Sequence, residues 1–144
     1  MNIYVASSWR NSLQPEVVRL LREWGHQVYD FRERGFAWSA IDPDWQQWSP
    51  AEFRERLRDK RAWIGCIRDY NAMHAADVCV LVLPCGRSAH LEIGWAVGAR
   101  KLTFVLMLER QEPELMYMLC TQILVSIEEL REAVGEVRSQ ALQR

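Results

Sequence analysis

The sequence predicts an α/β protein with a flavodoxin-like, doubly wound parallel sheet of five strands and helices on both faces. Three observations lead to this fold class. Short apolar runs alternate with amphipathic stretches, an order that produces a parallel sheet covered on both sides. The run at 78–83 is apolar throughout, as expected of a strand buried on both faces. The chain of 144 residues contains no repeat or linker, so we expect residues 1–144 to form a single domain.

The first third of the chain is predicted to hold two strands, a helix and a long loop. The first strand covers 3–6 and the second covers 27–31. Between them, apolar residues recur at helical spacing, with Pro15 suited to the first helical turn and Gly25 to the C-terminal cap. Residues 32–48 have no clear period and are predicted to form the loop.

The loop contains three of the seven tryptophans, Trp38, Trp45 and Trp48. Long loops in compact domains are usually functional or disordered, and the aromatic content argues against disorder. The three indoles either pack the loop onto the sheet or stack on a ligand, and the sequence leaves both roles open. The other four tryptophans are expected in the core or at helix contacts: Trp9, Trp24, Trp63 and Trp95.

Helix and strand signals resume after the loop. Ser49 and Glu52 form a capping box with Pro50 at the first helical position, and Phe53 and Leu57 are expected to face inward. The remaining elements are predicted as a helix at 62–75, a strand at 78–83, a helix at 89–99, a strand at 102–108, a short helix at 114–119, a strand at 122–125 and, after a second capping box at 126–129, a C-terminal amphipathic helix.

Composition and charge exclude several classes of function. The net charge of −1 gives no polyanion-binding signature, so a nucleic acid polymer is not expected as a partner. No apolar run approaches the length of a membrane-spanning helix, and the N-terminus lacks the basic and apolar regions of a signal peptide. We therefore expect no membrane association and a cytoplasmic location.

Several common site motifs are missing from the sequence. The four cysteines form no Cys-x-x-Cys pair and are expected to be reduced packing residues. His26, His74 and His90 have no metal-ligand spacing, so no metal is expected. The absence of glycine-rich phosphate loops and of a Gly-x-Ser-x-Gly elbow disfavours dinucleotide dehydrogenases, P-loop NTPases and α/β-hydrolases.

The segment after the third predicted strand carries the clearest sign of chemistry. Glu92 is expected in the first turn of the next helix, just beyond the carboxyl end of 78–83, where ligands of open α/β sheets collect. A helix N-terminus lowers the pKa of a carboxyl group, and an ionised Glu92 can attack an electrophilic carbon. Glutamate in a first helical turn can also simply complement the helix dipole, so position alone leaves both roles open.

Other polar and aromatic residues are predicted around the same edge of the sheet. They are Tyr4, Ser7, Ser8, Trp9 and Arg10 from the first strand onward, and Asp77, Gly86, Arg87, Ser88 and His90 around the third. Aromatic faces can stack a base, carboxylates and hydroxyls can hold a sugar, and Arg87 with backbone N–H groups can bind a phosphate. Structural alternatives remain, since Ser88 is a natural N-cap, Tyr4 can be a core residue and Arg87 can be a solvated charge.

Three blocks of sequence occur in a specific order: Ile3-Tyr-Val-Ala-Ser-Ser-Trp9, then Ala76-Asp77 before an apolar strand, then Ser88-x-x-x-Glu92-x-Gly94-x-Ala96 followed by a basic residue. Together they resemble the nucleoside 2-deoxyribosyltransferase superfamily, which includes related nucleotide N-glycosidases. The resemblance covers roughly residues 1–110. It implies a flavodoxin-like fold, cleavage of the N-glycosidic bond of a small-molecule nucleoside or nucleotide, no cofactor, and assembly into dimers or larger oligomers.

The resemblance also implies roles for individual residues. Glu92 matches a nucleophile that attacks the anomeric carbon and holds a covalent glycosyl-enzyme intermediate. Tyr4 matches a tyrosine that orients this nucleophile, and Asp77 matches an acidic residue lining the sugar and base pocket. Substrate-binding residues are expected to be Ser7, Trp9, Arg10, Trp38, Asp42, Gly86, Arg87, Ser88 and His90. The segments 112–119 and 126–142 are candidate subunit interfaces.

Gly86 departs from the family pattern. Transferases of the family carry an aspartate six residues before the nucleophile, where this chain has Gly86. Protonation of the leaving base would then need another group, such as Asp42, Asp44 or His90. The glycosidase branch tends to have a small or hydroxyl residue there, often in a phosphate pocket, so a nucleoside monophosphate is also a candidate substrate.

Three other functions compete with base cleavage or transfer. A non-catalytic nucleotide-sensing module on the same fold would bind its ligand and leave it intact, as the Gly86 departure suggests. An NAD glycohydrolase also places a glutamate near a sheet edge, although the single-domain length weighs against it. A structural partner-binding domain is disfavoured by the number of pocket-type residues.

Overall fold

Five parallel strands form one sheet in the computed structural model, which describes residues 1–33 and 35–143. The strands are β1 (Asn2–Ala6), β2 (Gln27–Tyr29), β3 (Val78–Val82), β4 (Leu102–Leu106) and β5 (Gln122–Leu124), in the spatial order β2-β1-β3-β4-β5. Ala6 pairs with Leu81, and Leu81 pairs with Val105, so the carboxyl ends of the central strands meet at one edge. This order confirms the predicted flavodoxin-like, doubly wound sheet.

Helices cover both faces of the sheet. They are α1 (Gln14–Glu23), α2 (Pro50–Arg56), α3 (Lys60–Ala75), α4 (Arg87–Gly98) and α5 (Ile127–Leu142). On one face α1 and α5 bury Val17, Leu21 and Leu130 against alternate residues of the strands. On the other face α3 and α4 bury Met73 and Ile93. The central strand β3 is buried at every position, as its unbroken apolar sequence predicts.

Several local sequence signals act as predicted. Ser49 and Glu52 form a reciprocal capping box at the start of α2. Gly25 ends α1 with φ of +84°, a left-handed conformation that favours glycine. At the start of α5, Ser126 accepts a hydrogen bond from the Glu129 N–H, but the Glu129 carboxylate accepts from Val125 N–H, so the second predicted box is only half formed.

The tryptophan loop is more ordered than its sequence suggests. Strand β2 ends at Tyr29, two residues earlier than predicted, because a short 3-10 turn begins at Phe31. Two further 3-10 turns lie at Trp38–Ala40 and Trp45–Gln47. Helix α2 rests against this loop and not on the sheet, so Phe53 and Leu57, expected to face inward, are 45% and 50% exposed.

The amino edge of the sheet is held by polar contacts. Asn2 donates its backbone N–H to Asp77 Oδ2 at 2.7 Å. The Lys101 ammonium donates to the carbonyl oxygens of His74 and Ala76. These contacts join the amino end of β1 and the start of β4 to the junction of α3 with β3. Among the described residues no helix is long and apolar enough to cross a membrane.

Candidate active site

A cleft of about 560 Å³ opens at the carboxyl edge of the sheet. The segments after β1, β2 and β3 form its walls together with α3 and the end of α2, as expected for ligand sites in open parallel sheets. Its lining consists of Ser7, Ser8, Trp9, Phe31, Gly35, Phe36, Trp38, Leu57, Ala62, Trp63, Cys66, Asp69, Gly86, Ser88, Ala89 and Glu92. The predicted residues Ser7, Trp9, Trp38, Gly86, Ser88 and Glu92 are therefore brought together.

Aromatic rings form much of the cleft wall. Trp9 packs edge-on against Phe31 at 5.2 Å between ring centroids, and Phe36 packs edge-on against Trp38 at 4.8 Å. Trp9 is 55% exposed and Trp63 is 60% exposed, so both present open ring surface. The expectation that these two tryptophans belong to the core or to helix contacts is wrong. Trp38 packs edge-on against Phe53 of α2 and also lines the cleft, so its role as a ligand-stacking residue stays a prediction.

The indole of Trp9 is held in place from two sides. The Arg32 guanidinium lies 5.9 Å from the ring centroid and donates hydrogen bonds to the carbonyl oxygens of Ser8, Trp9 and Asn11. Gly35 lies so close that a Cβ atom there would stand 2.1 Å from Cζ2 of Trp9. Only glycine fits this approach, because real Cβ contacts are never so short.

The floor of the cleft is tied to the end of β3. Ser7 donates its hydroxyl to the Val82 carbonyl at 2.8 Å, and Asn11 Nδ2 donates to the same carbonyl at 3.0 Å and to Ser7 Oγ at 3.0 Å. The buried Asn11 was not among the predicted site residues. Its contacts fix the segment after β1 against β3, which positions Ser7 and Trp9 along the cleft.

Glu92 projects into the cleft from α4 and is half-buried. Helix α4 begins at Arg87 and not at Ala89, so Glu92 occupies the second helical turn and not the first. Burial and the negative charge of Asp69 raise its pKa from 4.5 to about 7, against a smaller lowering by Tyr4. The expected lowering by the helix N-terminus is therefore wrong, since that effect fades beyond the first turn.

Tyr4 lies under Glu92 in the core of the sheet. Its side chain is 1% exposed, and burial followed by the Glu92 charge raises the pKa of its phenol far above the usual range. Among the described residues the hydroxyl meets no partner at full hydrogen-bond geometry. It lies close enough to Glu92 for a loose hydrogen bond, which lowers the pKa of Glu92. The phenol therefore stays protonated beside the carboxyl group.

Asp69 is a second cleft carboxylate that the sequence analysis missed. It projects from α3, and its Oδ1 accepts a hydrogen bond from the Tyr29 hydroxyl at 2.6 Å. The Tyr29 ring stacks on Tyr4 at 5.4 Å between centroids. Three cleft-lining residues of α3 are spaced three apart and so share one face of the helix: Trp63, Cys66 and Asp69. This spacing is a sequence signal from which Asp69 could have been predicted.

The amino end of α4 borders the cleft. Gly86 takes the N-cap position with an extended backbone and no side-chain cap, so the prediction of Ser88 as N-cap is wrong. Ser88 is the second residue of the helix and lines the cleft. First-turn N–H groups of a helix and a serine hydroxyl are suited to bind a phosphate or a sugar oxygen.

Asp77 is not part of the cleft. It precedes β3 and accepts the Asn2 N–H, which places it at the amino edge of the sheet, a full strand length from Glu92. The prediction that Asp77 lines the sugar and base pocket is therefore wrong. Strand direction explains the error, because a residue before a parallel strand lies at the edge opposite to a residue after it.

Four other predicted residues lie outside the cleft lining. Arg10 and Arg87 are exposed at its periphery. Asp42 accepts hydrogen bonds from Trp48 Nε1 and the Asp44 N–H, which hold its pKa below its usual value. His90 faces away from Glu92, with Nε2 2.9 Å from the Tyr117 hydroxyl and Nδ1 2.9 Å from the Gly86 carbonyl.

The cysteines and the candidate metal ligands add two observations. All four cysteines are free, and Cys79 is buried as expected, whereas Cys66 is exposed and lines the cleft. Among the described residues no group of three histidine, cysteine, aspartate or glutamate side chains is placed to hold a metal ion. The described lining of the cleft carries two carboxyl groups, hydroxyls, aromatic rings and the Cys66 thiol.

Comparison with known proteins places this geometry in a known fold. A 2-deoxyribosyltransferase from the psychrotolerant bacterium Bacillus psychrosaccharolyticus superposes with a TM-score of 0.68 at 16% sequence identity, over 91% of this chain and 90% of that chain. The chain has the fold of a 2-deoxyribosyltransferase. No family model and no curated protein matches it by sequence.

Two further solved structures share the 2-deoxyribosyltransferase fold of this chain. A conserved protein from Enterococcus faecalis V583 gives a TM-score of 0.63 at 14% identity, covering 94% of this chain and 98% of its own. The CMP N-glycosidase BcmB of Clostridium botulinum gives a TM-score of 0.51 at 16% sequence identity, covering 94% of this chain and 99% of that chain. The fold of the chain is thus shared with enzymes that act on N-glycosidic bonds of nucleosides or nucleotides.

Proposed function

We propose that this protein cleaves the N-glycosidic bond of a nucleoside or nucleoside monophosphate, by hydrolysis or by transfer to a second base, with Glu92 as nucleophile. The observation that carries the proposal is the position of the Glu92 carboxyl group, half-buried in the cleft and beside the buried Tyr4 hydroxyl. The shared fold with a 2-deoxyribosyltransferase and a CMP N-glycosidase supports the same chemistry.

The reaction follows the logic of a retaining glycosidase. A Glu92 oxygen attacks the anomeric carbon, the bond from that carbon to the base breaks, and its electron pair leaves with the base, which takes up a proton from water if it was neutral in the substrate. Water or a second base then displaces Glu92 from the sugar and regenerates the carboxylate. Tyr4 holds the carboxyl group through its O–H and so orients the attacking oxygen.

Aromatic rings and hydroxyls supply the binding groups. The open faces of Trp9 and Trp63 offer stacking surfaces for a base. The Ser88 hydroxyl, with the N–H groups at the start of α4, offers contacts to sugar hydroxyls or a phosphate. Asp69, on α3, is the second acidic group in the cleft lining.

The test is release of free base from a panel of ribo- and deoxyribonucleosides, their monophosphates and NAD, separated by chromatography. Wild type is expected to release base, and Glu92→Gln is expected to lose at least about 10³-fold in rate, as when a covalent nucleophile is removed. The matched control Glu136→Gln, an exposed residue of α5, keeps the wild-type rate. A Glu92→Gln enzyme as active as wild type contradicts the proposal.

A nucleotide-sensing module is the second candidate, because Gly86 stands where transferases of the family have an aspartate. A Cβ at Gly86 would meet no atom within 4 Å, so the position is open and lacks an acidic side chain. Saturable binding of a panel compound without release of its base, in enzyme shown to be folded, favours this function. Hydrolysis and transfer are distinguished by adding a second free base and looking for the exchanged nucleoside.

We also propose that the protein assembles into dimers or larger oligomers through the surface formed by residues 115–125. Large apolar side chains are exposed along it: Leu115, Met116, Met118, Leu119, Ile123 and Val125. An exposed apolar patch of this kind is typical of protein interfaces.

The four free cysteines support a reducing compartment such as the cytoplasm.

A further inference from the structure

The base-binding part of the cleft combines aromatic rings with negative charge. Trp9 and Trp63 show open ring faces, and Asp69 and Glu92 place two carboxyl groups in the same lining. We propose that the preferred substrates are nucleosides whose base is a cation, such as an N-ribosylpyridinium or an N7-alkylated purine. This inference rests on the proposed base cleavage and names its substrate class.

The aromatic rings favour a cationic ring over a neutral one. Indole is the aromatic side chain that attracts cations most strongly, through the negative potential of its face. Both open indoles belong to the cleft wall, and Trp9 is held rigidly by Phe31 and Gly35. Arg32 already lies over the Trp9 ring, 5.9 Å from its centroid, so the exposed ring of Trp63 is the main indole surface left for a cationic ligand.

The carboxyl groups favour the same ligands. Asp69 lines the cleft and accepts the Tyr29 O–H at 2.6 Å through Oδ1. Glu92 lines the same cleft, and after burial the charge of Asp69 is the next cause of its raised pKa, so the two groups repel each other when both are charged. A cationic base bound between them would relieve that repulsion, and a neutral base would not.

The positions of the candidate proton donors also favour substrates with a cationic base. Asp42, considered as an acid for the leaving base, is bound to Trp48 and Asp44 outside the cleft lining. His90 is bound to Tyr117 and Gly86 on the far side of α4. A neutral base must gain a proton as it leaves, whereas a cationic base does not.

The reaction of a cationic base balances without an acid. The Glu92 oxygen forms a bond to the anomeric carbon as the bond from that carbon to the ring nitrogen breaks. The electron pair of the broken bond stays on the nitrogen and cancels its positive charge, so the base leaves neutral. Water then attacks the anomeric carbon, Glu92 leaves as a carboxylate, and the proton of the water passes to solvent.

The first test compares two ligands that differ in charge and little else. Nicotinamide methylated on its ring nitrogen is a cation, and nicotinamide itself is neutral. Quenching of tryptophan fluorescence is expected to show about tenfold tighter binding of the cation by wild type. Asp69→Asn is expected to reduce this preference several-fold, whereas the control Glu136→Gln preserves it. Equal binding, or tighter binding of the neutral ligand, overturns the proposal.

The second test uses turnover and separates this inference from the proposed function. Nicotinamide riboside is expected to be cleaved with kcat/KM at least about tenfold above inosine, uridine and cytidine, in a Glu92-dependent manner. Gly86→Asp, which has open space for its side chain, is expected to raise turnover of the neutral nucleosides, because it supplies a group that can protonate the leaving base.

The two proposals fail in different ways. If neutral nucleosides are cleaved through Glu92 but neither the methylated ligand nor nicotinamide riboside is preferred, base cleavage stands and the cation preference is wrong. If the methylated ligand is preferred but wild type cleaves no nucleoside, the proposed enzyme activity is wrong and the charge preference of the cleft stands.

Discussion

Asp69 and Glu92 face the same cleft from different helices, and the charge of Asp69 raises the pKa of Glu92. Burial of Glu92 adds to the effect and is its larger cause, so that the pKa reaches about 7. A carboxyl group with this pKa is partly ionised at neutral pH, so small changes around the proposed nucleophile are expected to change its ionised fraction.

The pH dependence of turnover follows from the Glu92 pKa of about 7. Only the ionised carboxylate can attack, so kcat/KM is expected to rise about tenfold from about pH 6 to pH 8 and then level off. Asp69→Asn removes a raising charge and is expected to move the midpoint to lower pH. A profile that is flat over this range, or a midpoint that moves upward in Asp69→Asn, contradicts the assignment.

The raised pKa of Glu92 is also expected to make the free energy of unfolding depend on pH. Because the folded-state pKa of Glu92 lies above its ordinary value of 4.5, ionisation works against folding, and stability is lost as pH rises toward and through about 7. Glu92→Gln cannot ionise. In urea unfolding it is expected to exceed wild type by on the order of 1–3 kcal/mol near pH 8 and to match it near pH 4.5. Glu136→Gln serves as control and shows no such pH-dependent gain.

Tyr4→Phe tests the contact between Tyr4 and the proposed nucleophile Glu92. The Tyr4 hydroxyl lowers the pKa of Glu92, so its removal is expected to move the midpoint of the pH profile upward and to reduce kcat about tenfold or more. The free energy of unfolding is expected to change by no more than about 1 kcal/mol, because the buried hydroxyl makes no well-formed hydrogen bond. A large loss of stability with an unchanged pH profile would assign Tyr4 to the core alone.

Gly35→Ala tests the rigid placement of Trp9. The new Cβ would stand 2.1 Å from Trp9 Cζ2 and 2.7 Å from the Phe31 carbonyl oxygen, so the indole must move. KM for the best substrate is expected to rise about tenfold, with a smaller change in kcat. Gly135→Ala is the matched control, since its Cβ meets no atom within 4 Å, and it is expected to leave KM unchanged.

Met118→Glu tests the proposed oligomer. Met118 is 81% exposed at the centre of the 115–125 surface, where a charge would be buried on assembly. Analytical ultracentrifugation is expected to find an oligomer for wild type and a folded monomer for the variant. A wild-type monomer at about 100 μM, a concentration at which even weak dimers form, removes this surface from consideration.

Much of the fold could be predicted because its signals are local. An apolar run such as 78–83 is stable only as a strand at the centre of a sheet covered on both faces. The alternation of strands with helices along the chain then indicates a doubly wound strand order. The capping box at Ser49 and the left-handed Gly25 are likewise decided by neighbours in sequence. Ser7, Trp9 and Glu92 followed from the same argument, since each comes after a strand.

The errors and omissions concern contacts that linear position does not determine. Asp69 lies within α3, and it reaches the cleft only because that helix packs across the sheet. Asp77 is adjacent to a strand but on its amino side, so strand direction excludes it from the cleft. The Glu92 pKa was predicted in the wrong direction because Gly86 starts the helix early and burial outweighs the helix dipole.

The Asp77–Asn2 and Lys101 contacts at the amino edge lie a strand length away from the two carboxylates. Substitutions at the amino edge of the sheet can therefore change the thermal stability of the protein, while substitutions at the carboxyl edge change which ligand it binds. A library randomised at the first rim and selected for growth at high temperature should return variants with altered melting behaviour and an untouched substrate profile.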